Sequence, residues 1–317
     1  TEHANIFGLT YAIKLRLSKT RSEQTKNYLW AGQKICIKAL KNNIGNFDIF
    51  YGFNSDSKEL LEECLKYNVF SVLEQTIAAK KMHNEILVEE HKRWPLLEPD
   101  FSEEYVSEVV DRERREWDYA SIIVCASQFV KDSIVKEGIE ETKVHIVPYG
   151  VKQPVKFTKP NRDYFHVIFV GNLGLRKGGI YFLEAAKYMA KSNIKFTVIG
   201  GLSLSPSVIE EYDKYVTFTG AIPRSEVVNY YLNADLMCLP SLCEGSATVS
   251  YEALSYGVPL ITTHNSGTII EDGKEGIIVP IRNSQAIVEG IELLHSNKDL
   301  LSLMSKNAKI KSYEYTW

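Results

Sequence analysis

Residues 166–199 read HVIFVGNLGLRKGGIYFLEAAKYMAKSNIKFTVI, and their pattern decides the fold. An apolar run, His166–Val170, leads into a glycine-rich loop, a helical stretch over Gly179–Ala190 and a second apolar run, Lys195–Ile199. Runs that are apolar almost throughout, joined through a helix, mark parallel strands covered on both faces. Downstream the alternation continues, with strands predicted at Val216–Thr219, Asp235–Leu239, Pro259–Thr262 and Gly276–Val279. Helices are predicted at Ser225–Asn233, Thr248–Tyr256 and Ser284–His295. Upstream, strands read at Phe47–Phe53, Val69–Leu73, Ser121–Cys125 and Val144–Val147, with helices at Ser57–Lys66, at Glu103–Trp117 and up to Gly138. Residues 151–163 (VKQPVKFTKPNRD) hold two prolines and no periodicity, which reads as a linker. The expected organisation is two α/β domains, residues 1–155 and 164–317, with parallel sheets facing across a cleft. Ligands of such sheets sit beyond the carboxyl ends of the strands, so the loops there carry the function.

Composition agrees with two soluble domains. The 317 residues are 44% hydrophobic, and 37 Lys and Arg nearly balance 40 Asp and Glu, at roughly 150 residues per domain. Five cysteines, odd in number and without a C-x-x-C pair, argue against a disulfide framework or structural zinc and favour a reducing, cytoplasmic setting. No apolar stretch approaches the roughly 20 residues of a membrane span, and no secretory signal opens the chain. Secreted, collagenous, disordered and integral-membrane classes are excluded.

Charge is uneven along the chain. Residues 1–43 carry eight Lys and Arg against Glu2 and Glu23, a local charge of +6 that leaves −9 for the rest. With Tyr11, Tyr28 and Trp30 interleaved, this segment suits an anionic lipid surface or a phosphate-bearing acceptor; the simpler reading is a solvated helix face. Its density of cations is below that of a nucleic-acid patch.

Two loops hold the candidate chemistry. In Gly171-Asn172-Leu173-Gly174-Leu175-Arg176-Lys177-Gly178-Gly179, glycines allow close approach to a ligand and the following helix start offers N–H groups to an anion. Arg176 and Lys177 add two cations suited to phosphate oxygens. The loop matches neither a P-loop nor G-x-G-x-x-G, and the second strand ends in Ile199-Gly200-Gly201 without the acid a dinucleotide ribose needs, which disfavours NAD. By itself the loop is either an anion site or an ordinary tight turn. Residues 239–254, LPSLCEGSATVSYEAL, place Glu244 in a loop and Glu252 eight residues on, inside a helix whose start presents the amides of Gly245, Ser246 and Ala247. Ionised carboxylates there can accept paired hydroxyls, such as those of ribose or hexose; the alternative is that Glu244 caps the helix and Glu252 faces solvent.

With FVGNLGLRKGG (169–179), LPSLCEGSATVSYEALSYGVPLITT (239–263) and NSGTIIEDGKEGIIVP (265–280) in that order, the chain resembles family 4 of the nucleotide-sugar-dependent glycosyltransferases, which have the GT-B fold. The family's E-x7-E spacing falls on Glu244 and Glu252, its K-G on Lys177-Gly178 and its trailing E-D-G on Glu271-Asp272-Gly273. Residues 122–151, IIVCASQFVKDSIVKEGIEETKVHIVPYGV, are similar to the family's close of the first domain, and the likeness covers about residues 47–317.

The resemblance implies a retaining glycosyltransferase that moves a hexosyl group from a UDP or GDP sugar to an acceptor hydroxyl, in polysaccharide or glycolipid synthesis. Lys177 and Arg176 would hold the donor diphosphate, beside Gly171 and Asn172. Glu244 would accept hydroxyls of the sugar, next to the amides of Gly245, Ser246, Ala247 and Thr248, and Glu252 would accept the ribose hydroxyls. The departing diphosphate would take the acceptor proton, so neither a metal nor another cofactor is expected. A glycan or lipid-linked acceptor would follow, and the basic opening segment prompts a peripheral contact with the inner membrane face, without nucleic acid. The competing readings are a non-catalytic nucleotide-sugar-binding subunit and an epimerase or phosphorylase on the same fold.

The chain departs from the family pattern in three places: Asn172 stands where Arg is common, Ser246 where an aromatic is usual, and Leu73-Glu74-Gln75 where many members carry a histidine. Residues 1–46 lack the family's opening glycine-rich loop and the chain stops at Trp317, so it reads as a fragment or short member clipped at both ends. His83 and His91, eight apart among glutamates, read as surface histidines rather than metal ligands. Asp111–Glu116 (DRERRE) reads as a solvated helix face, with Arg112 the one candidate to line the cleft.

Overall fold

A computed structural model of the chain describes residues 2–98, 102–154 and 162–317, with side chains from residue 7 onward. The described residues form two compact units. The first comprises residues 2–85, 102–125 and 130–147; the second comprises 86–98, 126–129, 148–154 and 162–317. The second unit thus gathers two pieces from the first half of the chain, and a single boundary near residue 155 does not describe the packing. Leu97 is buried in the second unit's core, and Ile86 and Trp94 pack against it. Residues 155–161 of the predicted linker lie outside the described residues; Val151 bridges Thr316, and Arg162 pairs with Asp235 at 2.9 Å.

The basic opening segment is helical: α1 (Glu2–Leu17) and α2 (Arg21–Ala39). Thr20 caps α2 by accepting from the Glu23 amide at 3.2 Å, while the Glu23 carboxylate reaches back to the Thr20 amide at 3.4 Å. Phe7 stacks on Trp30 with ring centroids 5.6 Å apart, and the Lys14 ammonium lies 4.8 Å over the same indole. Next come β1 (Ile49–Phe53), α3 (Lys58–Tyr67), β2 (Phe70–Gln75), α4 (Lys80–Arg93), α5 (Val106–Tyr119), β3 (Ile122–Cys125), α6 (Gln128–Lys136) and β4 (Val144–Ile146). The strands form a parallel sheet in the order β1-β2-β3-β4.

The DRERRE stretch is solvated on one side only, where Asp111, Arg114 and Arg115 are exposed and Arg114 pairs with Asp118 at 3.2 Å. In α5, Arg112, Glu113 and Glu116 are buried. Arg112 forks onto Glu59 at 2.7 and 2.8 Å and donates to the Ser55 carbonyl at 2.6 Å. Glu116 accepts from the amides of Ser55, Ser57 and Lys58 at 2.7 to 3.1 Å, capping α3, whose own N-cap Ser57 makes no side-chain cap bond. Glu113 accepts from the Lys80 amide at the start of α4 and from Gln75, both at 2.7 Å. Gln75 occupies part of the stretch where the family often has histidine, and it also accepts from the Trp117 indole at 2.9 Å.

The second unit has β5 (Phe165–Val170), α7 (Gly179–Tyr188), β6 (Ile194–Ile199), α8 (Pro206–Tyr212), β7 (Val216–Phe218), α9 (Arg224–Leu232), β8 (Leu236–Leu239), α10 (Thr248–Ser255), β9 (Leu260–Thr262), β10 (Gly276–Ile278), α11 (Ser284–Ser296) and α12 (Lys298–Ser312). Its parallel sheet runs β10-β9-β8-β5-β6-β7. Every residue of β5 and β8 is buried, as a doubly covered sheet requires. All five cysteines are buried, and none is in a disulfide. The chain winds outward in opposite directions from the β5–β8 pair, so the loops that follow these two strands meet at the topological switch point.

Candidate active site

These two loops are Gly171–Gly178 and Pro240–Ala247, the ones singled out in the sequence. Glycine lets the first loop turn tightly. Gly178 has φ +67°, and a Cβ there would come within 2.0 Å of the Pro240 carbonyl oxygen, so only glycine admits the second loop. The Leu242 amide donates to the Arg176 carbonyl at 2.9 Å, and the Arg176 guanidinium returns a bond to the Cys243 carbonyl at 3.0 Å. This stitching brings together residues 67 apart in sequence.

At the junction Glu244 Oε1 lies 2.8 Å from both Arg176 Nη1 and Lys177 Nζ. The carboxylate is only 12% exposed, against 14% for Lys177 and 33% for Arg176. Burial pushes the Glu244 carboxyl up, but the two cations outweigh it and hold it below the usual carboxylate range. One buried anion balances two cations, which leaves a net positive site beside the start of α10. The N-cap of that helix is Ala247, with no side-chain cap bond, so Glu244 does not serve as its cap.

The neighbouring predicted residues divide. Thr248 is exposed at the first turn of α10. The Ala247 amide is engaged by the Ser266 carbonyl at 3.2 Å, which corrects the expectation that it faces a ligand. The Ser246 hydroxyl is turned inward, donating to the Gly267 carbonyl at 2.9 Å and lying 2.7 Å from the Tyr251 hydroxyl. Asn172 is exposed and donates to Ser203 at 2.5 Å, and Gly171 has φ +134°, packed beside the Lys177 stem. Glu252 does not point freely to solvent: Arg224 pairs with it and the Tyr231 hydroxyl donates to it at 2.9 Å. It lines a cavity of about 770 Å³ with Arg224, Val227, Tyr231, Thr248 and Tyr256. The trailing Glu271 and Asp272 are structural, pairing with Lys311 at 3.5 Å and accepting from the Ile278 amide at 2.8 Å respectively.

Sequence reasoning missed the residues that hold the second loop. Asn265 accepts from the Glu244 amide through its carbonyl at 2.9 Å and donates its side-chain amide to the Leu242 carbonyl at 2.8 Å. Thr263 donates to the Ser241 carbonyl at 2.5 Å, and Ser127 to the Gly245 carbonyl. The only local signal was the N-S-G turn at 265–267, where Gly267 has φ +64° and a Cβ would meet the Gly245 oxygen at 2.0 Å. The histidines are placed differently from expectation too: His91 is only 10% exposed, its ring 4.0 Å from the Glu98 carboxylate.

Comparison with known proteins identifies the family and the fold. Residues 152–311 match the family described as Glycosyl transferases group 1. The capsular polysaccharide biosynthesis glycosyltransferase CapM of Staphylococcus aureus is 26% identical over 213 residues, 60% of this chain and 56% of CapM. The UDP-Gal:alpha-D-GlcNAc-diphosphoundecaprenol alpha-1,3-galactosyltransferase of Escherichia coli is 24% identical over 214 residues, 60% of this chain and 54% of that one. The chain therefore spans about half the length of these curated relatives. Among solved structures, sucrose-phosphate synthase of Thermosynechococcus elongatus superposes with TM-score 0.70 at 17% identity, over 93% of this chain and 75% of that one. HepE of Anabaena in complex with UDP superposes with TM-score 0.64 at 15% identity, over 90% and 78%. The fold is the GT-B fold.

Proposed function

The chain belongs to the glycosyl transferases group 1 family, and from that premise we propose that it transfers a sugar, with retention, from a nucleoside-diphosphate sugar to an acceptor hydroxyl. The observation that carries this reading is the placement of Glu244 Oε1 2.8 Å from both Arg176 and Lys177 at the sheet's switch point. Two cations around one carboxylate can take a diphosphate without losing their anion, and the carboxylate keeps lone pairs for sugar hydroxyls. Glu252, oriented by Tyr231 and Arg224 at the wall of its cavity, accepts the ribose hydroxyls.

Catalysis in this reading is positioning and charge. As the bond to the sugar breaks, negative charge grows on the diphosphate, and Lys177 with Arg176 stabilise it. The leaving diphosphate accepts the acceptor's proton on the face it vacates, so configuration is kept and no metal or protein base is called on. The acceptor is a glycan or a lipid-linked saccharide, met at an anionic membrane face through the basic helices α1 and α2.

The test is product anomeric configuration by NMR, with and without EDTA, for wild type and Glu244→Gln. Retention unaffected by chelator is expected, with turnover in the variant down about tenfold or more, at roughly 1.4 kcal/mol per decade. Nucleotide affinity should barely change, since Glu252 and Lys177 are intact. An inverted product, or activity abolished by EDTA, overturns the mechanism.

A further inference from the structure

We infer that Glu98 is a positioning residue for the Arg176–Lys177 pair, an inference that rests on the reading of that pair as the diphosphate clamp. Glu98 lies 77 residues away in sequence, in the piece of the first half that packs within the second unit. Its carboxylate is buried, and Oε1 accepts from the amide of Leu175, the residue directly before Arg176, at 2.7 Å. A Cβ on Gly174 would come within 2.3 Å of the same oxygen, so the carboxylate lies flat against two successive residues of the loop. Leu175 is fully buried, and without Glu98 its N–H would face a water-free interior.

The neighbouring residue makes this a brace rather than a single bond. The Leu97 carbonyl accepts from the Ser205 amide at 2.7 Å, so residues 97 and 98 tie the loop after β5 to the segment after β6. The same two segments are joined directly by Leu173 and Gly201 at 2.8 Å and by Ser203 and Leu173 at 2.8 Å. The brace is itself anchored one helix turn and more upstream. Buried Glu90 accepts from the Tyr181 hydroxyl on α7 at 2.8 Å and pairs with Arg282. The other Glu98 oxygen faces His91 at 4.0 Å. The Glu98 and Leu97 bonds fix loop backbone, the Glu90 and His91 contacts join side chains behind them, and what the brace fixes is the position of two cations relative to Glu244. Misplacing a charge-bearing group by about an ångström is enough to cost on the order of 100-fold in rate.

The experiment compares wild type, Glu98→Ala and Glu98→Gln by two readouts. The first is affinity for UDP, GDP and ADP against the matching monophosphates, with turnover on the donor that binds. The second is hydrogen exchange of the peptide spanning residues 173–179. In Glu98→Ala we expect diphosphate affinity and kcat to fall about tenfold or more, monophosphate affinity to stay within about twofold, and exchange in the loop to rise about tenfold or more. Glu98→Gln keeps a carbonyl acceptor for the Leu175 amide and should recover most of each loss. Should Glu98→Ala fail to fold, Gly174→Ala drives the carboxylate off the loop and should give the same pattern. A lowered Tm with unchanged diphosphate preference, kcat and loop exchange, or a Gln variant no better than Ala, overturns the inference. A wild type that binds none of the three diphosphates while the loop still loosens in Glu98→Ala removes the clamp reading and, with it, the catalytic meaning of the brace.

Discussion

At the scale of single residues, the two cations are not equivalent, although both lie 2.8 Å from Glu244. The Lys177 side chain is 14% exposed and that of Arg176 33%, so the lysine acts through a less screened environment. Lys177→Ala should therefore slow turnover by about 10²–10³-fold in a folded protein, and Arg176→Ala by less. Steady-state kcat for the two variants checks this; a near-normal Lys177 variant would show that another group neutralises the leaving diphosphate. Glu252→Ala should weaken nucleotide binding by roughly 1.5–3 kcal/mol, the loss of charged hydrogen bonds to the ribose. Equal binding of a 2′,3′-dideoxy nucleotide and its ribonucleotide by wild type would remove the basis for that role. The spacing of Glu244 and Glu252 and the basic pair in the first loop were legible because each sits beside a strand end that the apolar runs already mark. The convergence of Glu244 on Lys177 was not, since 67 residues separate them and only the sheet order brings them together. Glu98 left no signal at all, as an isolated acid beside a leucine has no pattern.

At the scale of elements, strands were the legible part and buried charge the illegible one. A strand covered on both faces must be apolar throughout, and β5 and β8 announce themselves for that reason. The polar helices α4, α8 and α12 escaped because their few apolar positions give no clean run. Helix α5 misled more seriously, because i,i+4 charge alternation looks the same whether its partners are water or other elements. Glu113 and Glu116 hold the starts of α4 and α3, and burial pushes both carboxyls up to about 7 against the pull of the amides they accept from. The sign follows from linkage. Below the ordinary carboxylate range both are protonated folded or unfolded; as pH rises, the unfolded chain ionises first, so stability drains away between about 4.5 and about 7 and does not return above. Glu244, held low by its cations, and His166, held neutral chiefly by burial, act in the opposite sense on the acid side. The expected outcome is a denaturation midpoint higher near pH ~6 than near pH ~8, with a flatter profile in Glu113→Gln. A wild-type midpoint that stays level from pH ~6 to pH ~8 would show that the capping amides, not burial, set these carboxyls.

At the scale of the whole molecule, a net charge of −3 conceals a basic end of +6 and a remainder of −9. The structure turns that basic end into two helices and sets aliphatic side chains among the cations. Leu9, Ile13 and Leu17 recur every four residues on α1 and are 63%, 48% and 70% exposed, with Lys14 and Arg16 exposed between them. Spacing of four keeps the three on one helix face, a stripe that water does not favour and a bilayer interface does. Among the described residues no helix is long and apolar enough to cross a membrane. Cations near anionic headgroups contribute about 1 kcal/mol each, screened within a Debye length of about 10 Å at 0.1 M salt. Binding should therefore need both parts. Wild type should sediment with phosphatidylserine-containing vesicles at low salt and be released as salt is added. Replacing Leu9, Ile13 and Leu17 together by Ser should weaken sedimentation even at low salt, whereas Lys14→Glu with Arg16→Glu should abolish it there. Neutral phosphatidylcholine vesicles should retain little protein at any ionic strength. If wild type ignores anionic vesicles at every salt concentration, the +6 segment is a solvated face and the acceptor is met away from the membrane.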